Sequence, residues 1–429
     1  MLLAAISVFL VLTLSASSAR DPYLPILFVD DALFASTRGG VTLRVQAPIV
    51  GPAVITATEG WEDWAIGGYN HAMKFGPADY RIYYACIEYM DWYDHGAINE
   101  RLCLARSADG VTWHKPQLGM VKWGPRGQAN VPNNILLDCY EVSVFEDLNP
   151  LAGAADRYKM LCGKEVYASA DGIHWSSIGK ASITHTDDTM DTGWFDPAIG
   201  KYVIYVRRDL PIEGRNCSGR YDWAGKNTCR LIGRCETTNL TDWEQGNPGG
   251  CPPVFGPDAE DPMGIDLYTS GFAPYNGVQL YFPAAMYTFG HSFPFGYGND
   301  GMLDIRFAAS RDGRSIRYVP GAANAREPWF ELGLNRCGPR ASAPDSYYGG
   351  WCDPSSASEM SRTDPHTTTN YMVGGLMESP NGEEVYMYVA SPGVMGAQIT
   401  APLLISVRLA ICPHDISWTI IRKARNVCS

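Results

Sequence analysis

The chain has 429 residues and a formal net charge of −12; 46% of its residues are hydrophobic and only 19% are charged. The length suits one large repeat domain or two to three ordinary ones, and the acidic balance argues against a nucleic-acid partner. Abundant Tyr, Trp and Gly with few charges favour short strands and turns over long charged helices.

Met1 to about Ala19 reads as a secretory signal peptide, with an apolar run from Leu2 to Leu14 and small residues at Ser15-Ala-Ser-Ser-Ala19 for cleavage. The run is too short to span a bilayer and no other stretch is long and apolar enough, so the expectation is a secreted chain with no membrane partner after cleavage. All 12 cysteines lie beyond this segment, and an even count in a secreted chain points to disulfides. With no Cys-x-x-Cys pair, a zinc site is not expected. Cys217, Cys229, Cys235 and Cys251 crowd one insertion; Cys337 and Cys352 share a loop; Cys412 and Cys428 lie near the C-terminus. The pairing is not fixed by the sequence. Asn216-Cys-Ser and Asn239-Leu-Thr are acceptor triplets for N-glycosylation.

After the signal, Leu27 to Phe34 is a short apolar segment, Gly39-Gly40 breaks it, and Val41 to Val45 alternates as a strand does. From residue 60 a pattern recurs in which a Gly-, Pro- or Asp-rich turn precedes an aromatic strand. The strands so marked are Arg81–Cys86, Tyr158–Cys162, Lys201–Val206, Val278–Phe282 and Glu384–Val389. A further strand then runs into a repeated turn. Ser107-Ala-Asp-Gly-Val-Thr-Trp113 returns as Ser169-Ala-Asp-Gly-Ile-His-Trp175. Weaker copies are Thr237-Thr-Asn-Leu-Thr-Asp-Trp243 and Ser310-Arg-Asp-Gly-Arg-Ser-Ile316, with a remnant at His414 to Trp418. Ser and Asp hold such a turn through backbone N–H groups, Gly supplies the positive φ, and the Trp covers the apolar layer between sheets. Asp109, Asp171 and Asp312 are therefore read as turn residues.

Five units follow, at about 60–128, 129–182, 183–258, 259–335 and 336–425. The expected fold is all-β: a single five-bladed β-propeller of four-stranded antiparallel blades over residues 20–429, with residues 20–59 helping to close the ring. Loops at 208–230, 245–262, 288–302 and 336–370 exceed what a hairpin needs.

In a propeller the innermost strands converge on the axis, so acids at their ends can meet across a central pocket. The segment before each hairpin turn is the expected inner strand. The candidate catalytic residues are Asp188, Asp147, Asp266 and Glu62, and the candidate substrate-binding residues are Trp61, Trp64, His71, Asp191, Trp194, Tyr268 and Glu378. Paired carboxylates suit glycoside hydrolysis: one protonates the leaving oxygen, the other activates water or attacks the anomeric carbon. No organic cofactor is implied; a structural calcium ion is the alternative use of the acid-rich run His185 to Asp191. Metal ligation by His71 or His185 is disfavoured against hydrogen bonding. No Gly-x-Ser-x-Gly elbow, phosphate-binding Gly loop or His-Glu-x-x-His helix is present.

Several stretches together resemble secreted five-bladed propeller glycoside hydrolases. These are relatives of invertases, levanases, arabinanases and arabinofuranosidases, of the kind described by a family 32 N-terminal domain. The matching stretches are Leu27 to Asp31, Gly60-Trp-Glu62, Arg106 to Pro116, Asn133-Asn-Ile135, Asp147 to Pro150, Asp188 to Tyr205, Asp266-Leu-Tyr268, Phe272 to Tyr275, Ser310 to Gly313 and Gly374-Gly375. The resemblance implies three acids from separate blades, an oligo- or polysaccharide substrate and secretion. It does not carry over the role of each acid. Trp-x-Asn-Asp-Pro-Asn-Gly is missing near the start, the only Arg-Asp-Pro is Arg20-Asp-Pro22 before any blade, and the Glu-Cys pair is reversed as Cys235-Glu236. The expected function is glycosidic bond cleavage, possible substrates including furanosides; the rival expectation is a catalytically inactive carbohydrate-binding propeller.

Overall fold

The structure is a computed structural model that describes residues 29–30, 42–45, 48, 51–63, 65–88, 99–123, 131–183, 191–215, 217, 220–221, 227–244, 246–261, 265–287, 302–319, 326, 328–330, 370–382, 384–391, 398–400 and 407–410. The signal segment, Trp64, His185, Asp188, Asn216, the last four cysteines, the fifth turn copy and residues 336–369 of the loop expected at 336–370 lie outside the described residues.

The described residues are all-β, with antiparallel blades in a propeller arrangement. The first blade starts with Ala65–Ile66 and His71–Gly76, which both pair with Asp79–Glu88, and that strand pairs with Asn99–Ser107. The second runs Val142–Glu146, Tyr158–Cys162, Glu165–Ser169, Ser176–Lys180. The third starts with Thr192–Asp196, followed by Lys201–Leu210 and Asn227–Thr237. The fourth starts with Ile265–Tyr275, followed by Val278–Tyr287 and Ala308–Ser310. Aromatic and β-branched residues fill these strands because a pleated surface buried on both faces rewards them. The second strand of the first blade, for example, is buried from Tyr80 through Ile87.

The first strand of each blade is the inner one, since first strands of successive blades touch one another. Gly193 N–H donates to Ser143 Oγ at 3.0 Å, Ala72 N–H to Gly374 O at 2.8 Å, and Gly375 N–H to Phe272 O at 3.2 Å. The opposite edge, Ser176–Lys180, is mostly exposed. Apolar layers fill the space between blades. One unites Leu161, Trp194, Tyr205, Phe272 and Tyr281; another joins Tyr80, Ile82 and Tyr84 to Met377, Tyr386 and Tyr388.

Four blades follow one another in chain order, where the sequence predicts five units. The strands expected for the fifth are dispersed. Tyr371–Met372, Val389–Ser391 and Gln398–Thr400 form a four-stranded sheet with Ala53–Thr56. Met377–Glu378 pairs separately with Val385–Tyr386, and Thr42–Val45 with Val407–Ala410. The blades also exceed four strands in places: Ile135–Leu137, expected in the second unit, pairs with Leu102 and Cys103 of the first.

The repeated turns hold the blades in register. Ser107 Oγ accepts from the N–H groups of Asp109 and Gly110, and Asp109 Oδ1 from those of Val111 and Thr112. Burial pushes the Asp109 carboxyl up, but the Thr112 and Val111 N–H groups outweigh it and bring it down to about 2. The same bonds recur around Ser169–Asp171 and Ser310–Asp312. The glycine carbonyl is then taken by a tyrosine of a neighbouring blade. Tyr83 Oη donates to Gly172 O at 2.6 Å, Tyr205 Oη to Gly313 O at 2.7 Å, and Tyr388 Oη to Gly110 O at 2.7 Å. Burial raises the Tyr83 hydroxyl above its ordinary pKa and keeps it a donor.

Disulfides join Cys86–Cys103, Cys139–Cys162, Cys217–Cys229 and Cys235–Cys251. They close loops of 12 to 23 residues, each stabilising by about 3 kcal/mol. Such bridges persist in oxidising compartments, consistent with an extracellular location.

Two glycines test the turn directly. Gly172 has φ +70° and a Cβ there would lie 2.4 Å from Phe75 Cε1, whereas Gly119 has φ +62° with nothing within 4 Å. Gly119→Ala is expected to cost about 1–2 kcal/mol, the left-handed backbone penalty alone. Gly172→Ala adds overpacking of about 1–3 kcal/mol. Urea midpoints of the two variants read the difference, and equal midpoints would contradict this packing.

Candidate active site

Every inner strand has a leading end, where the chain enters it, and a trailing end at the hairpin turn. The leading ends gather the unusual chemistry. Glu141 precedes Val142–Glu146, Asp191 precedes Thr192–Asp196, and Asp266 is the second residue of Ile265–Tyr275. All three are buried. The Gly193–Ser143 bond sets the second and third inner strands in step. Glu141 and Asp191 each lie two residues ahead of that bond and so share one level. Glu141 holds a left-handed backbone, φ 63°, which costs a residue with a Cβ about 1–2 kcal/mol. The Cys139–Cys162 disulfide anchors the chain two residues before it.

Asp266 is fully buried, and its Oδ1 accepts the Arg230 N–H at 3.2 Å. The Arg230 guanidinium lies 4.5 Å from the centroid of the Tyr268 ring. Cys217, Cys229 and the Asp266 carboxylate lie within 4.8 Å of one another, but the two sulfurs are bonded together, so the trio is not a metal-ligand set.

Three half-buried tyrosines meet at the same end. Tyr69 Oη and Tyr268 Oη are 2.8 Å apart, and the Tyr371 ring stands edge-on to both at 5.8 Å. Tyr69 lies just ahead of His71–Gly76, Tyr268 in Ile265–Tyr275 and Tyr371 in Tyr371–Met372. His71 opens the second segment of the first inner strand, His71–Gly76. Its ring lies against Gly374 and Gly375: a Cβ on Gly374 would sit 2.6 Å from Nδ1, and one on Gly375 3.1 Å from Nε2. His71 is 6% exposed, and its Nδ1 has no hydrogen-bond partner among the described residues. Burial lowers its pKa from 6.5 to about 3, so the imidazole is neutral near pH 7.

Other predicted residues lie elsewhere or serve the fold. Asp147 follows the second inner strand, at the trailing end, and its side chain is saturated by Lys159 Nζ at 2.9 Å, Tyr202 Oη at 2.8 Å and Asn149 N–H at 3.0 Å. Glu378 is also trailing; its carbonyl accepts from Tyr80 Oη and Lys74 Nζ. Glu62 is buried three residues ahead of Ala65–Ile66, with its carboxylate committed to the fold: it accepts from Lys115 Nζ at 2.5 Å, Tyr84 Oη at 2.5 Å and Thr58 N–H at 3.0 Å. Trp61 and Trp194 are core rings rather than exposed stacking platforms. Trp61 packs edge-on to Trp123 and donates Nε1 to Asn134; Trp194 stacks 4.0 Å from Phe272. Of the predicted set, His71, Asp191, Asp266 and Tyr268 share the leading end. The sequence also offers Tyr69 as a sugar-stacking aromatic but does not single out Glu141, Tyr371 or Arg230. One signal would have found Glu141: an acid immediately before an alternating strand, as Asp191 is.

No family model matches the chain, and no curated protein matches it. Similar solved structures include one described as a glycoside hydrolase, 13% identical, covering 89% of this chain and 96% of that chain at a TM-score of 0.47. A glycosyl hydrolase from Bacteroides ovatus is 13% identical over 87% of this chain and 98% of its own, TM-score 0.47. The Penicillium chrysogenum alpha-L-arabinanase complexed with arabinobiose is 12% identical over 84% and 99%, TM-score 0.44. Likeness at this level carries no weight for the chemistry, which rests on the residues above.

The buried His71 predicts a pH effect. Its folded-state pKa of about 3 lies below the unfolded 6.5, so unfolding takes up a proton between those values. The stability from keeping it neutral is complete above pH 6.5 and is lost as pH falls toward 3, by up to about 1.4 kcal/mol per pH unit. Denaturant midpoints at pH 7 and pH 5 should converge in His71→Asn relative to the unsubstituted chain. An identical shift in both proteins would contradict the burial.

Proposed function

We propose that the protein is a secreted glycoside hydrolase that cleaves glycosidic bonds of an oligo- or polysaccharide with carboxylates at the leading end of the propeller. The observation that carries this is that Glu141, Asp191 and Asp266, three buried acids, open the inner strands of three successive blades, Asp266 on the strand that bears Tyr268 of the tyrosine cluster. Hydrolysis of an acetal needs a proton given to the departing oxygen and a carboxylate that activates water or attacks the anomeric carbon. Acids on neighbouring inner strands supply both, and tyrosine faces and hydroxyls suit sugar rings. His71, neutral, serves as a hydrogen-bonding group to the substrate. Asp188, three positions before Asp191 in the sequence, belongs to the same proposal and is tested with it.

The blade count of five is part of this reading. It is supported by the four-stranded sheet built on Tyr371–Met372 and Ala53–Thr56, by apolar contact of that region with the fourth blade through Phe282, Met372 and Met387, and by the Tyr388–Gly110 bond to the first.

A panel of furanoside and pyranoside chromogenic substrates and glycans is the test. Glu141→Gln, Asp191→Asn, Asp266→Asn and Asp188→Asn should each lower kcat by about 10²–10⁴-fold with thermal unfolding little changed. Asp147→Asn should do the reverse, because it unpairs the buried Lys159, at a cost of about 3–5 kcal/mol, while kcat of the folded protein holds. Full activity in all four leading-end variants would refute the assignment. Binding without hydrolysis across the panel would favour a carbohydrate-binding propeller.

A further inference from the structure

We infer that Asn239 is an N-glycan acceptor, displayed on the trailing face of the third blade away from the proposed active site. The repeated turn is the starting point. Three copies keep Asp-Gly at their centre, Asp109-Gly110, Asp171-Gly172 and Asp312-Gly313. The third-blade copy changes three neighbouring positions at once, to Asn239-Leu240-Thr241, and so creates an acceptor triplet.

The geometry of this copy differs where the chemistry needs it to. In the Asp-Gly turns the aspartate accepts two backbone N–H groups. Asn239 Oδ1 accepts from Thr241 N–H at 3.2 Å and from Thr241 Oγ1–H at 3.0 Å. The Thr241 hydroxyl thus contacts the amide that would react. Asn239 is exposed, and its Nδ2 has no hydrogen-bond partner among the described residues. The turn needs nothing from Nδ2. Thr237 Oγ1 accepts the Asn239 N–H at 3.1 Å, Asp242 N–H donates to Asn239 O at 2.9 Å, and Trp243 Nε1 closes on Leu240 O at 2.7 Å. Leu240 and Trp243 are buried, so the turn is anchored from below while Asn239 faces solvent. Thr237 ends the strand Asn227–Thr237, whose first residues lie beside Asp266; the turn is therefore at the opposite end of the blade, and a glycan on it leaves the acids uncovered.

The step uses a lipid-pyrophosphate-linked oligosaccharide as donor. A bond forms between Asn239 Nδ2 and the anomeric carbon, the carbon–oxygen bond to the pyrophosphate breaks, the lipid pyrophosphate leaves with the electron pair, and one amide proton is lost. Nothing is oxidised or reduced.

The full chain secreted from a eukaryotic expression host is the material for the test. Peptides are mapped by mass spectrometry before and after enzymatic release of N-glycans in ¹⁸O-water. The expected result is that most copies of the peptide bearing Asn239 carry a glycan, released with conversion of the asparagine to ¹⁸O-labelled aspartate. Thr241→Ala and Asn239→Gln should each abolish the signal at this position, and Thr241→Ser should retain part of it. Recovery of the secreted wild-type peptide with unmodified Asn239 overturns the inference, and so does modification confined to Asn216. The readout is independent of hydrolysis, so it stands or falls apart from the proposed activity.

Discussion

The tyrosine that reaches from one blade to the turn carbonyl of another sets the geometry on which the rest depends. Apolar layers attract blades without fixing their height or tilt, because the hydrophobic effect is non-directional. A hydrogen bond at 2.6–2.7 Å does fix them. The turn is built for this: its serine and aspartate consume the local N–H groups, leaving the glycine carbonyl pointed outward. The Tyr388–Gly110 bond has a special consequence, since it ties residues 278 positions apart in sequence and so brings the C-terminal part of the chain onto the first blade. Heights set at the turns are transmitted up the inner strands, and the level shared by Glu141 and Asp191 follows from them.

One turn does without this device, and the exception is instructive. In the second blade, Leu161 faces the third-blade layer, and the third-blade turn carries Leu240 in place of glycine. The Leu240 carbonyl accepts Trp243 Nε1 as the Gly110 carbonyl accepts Trp113 Nε1; what differs is that Leu161 and Leu240 share one apolar cluster. Contact between side chains has replaced the cross-blade bond, which also freed this turn from the need for a positive φ.

Local features were legible in the sequence and non-local ones were not. Turn residues and alternating aromatics act over a few positions, so the hairpins after Gly76, Arg157, Gly200 and Gly277 could be placed from composition. The pairing of Ala53–Thr56 with Gln398–Thr400, or of Ile135 with Cys103, joins elements whose partnership leaves no local mark. The site suffered from a related ambiguity. A strand has two polar ends, and alternation does not say which of them faces the functional pocket. Asp191 and Asp266 were drawn from leading ends, Asp147 and Glu378 from trailing ones. Glu141 was passed over beside Cys139 and Tyr140, although it occupies in the second blade the place that Asp191 occupies in the third.

The two ends of the propeller differ in what their polar groups do for the fold. At the trailing end buried charge serves structure: Asp147 meets Lys159, Tyr202 and Asn149, and removing it would leave a buried ammonium with less to hold. At the leading end a glutamate accepts a left-handed backbone, and a histidine is buried with Nδ1 unpartnered. Each of those features lowers stability, and neither supports the apolar layers between blades. Local rules are broken in proteins chiefly where function requires it. The other left-handed non-glycine residue, Asn276, shapes the hairpin turn after Ile265–Tyr275, whereas Glu141 stands ahead of an inner strand whose height the tyrosine–turn bonds hold fixed. A rigid frame that holds acids of neighbouring blades at one level is what preorganised chemistry demands, and the proposal of the leading end as the working face rests on that arrangement more than on any single acid.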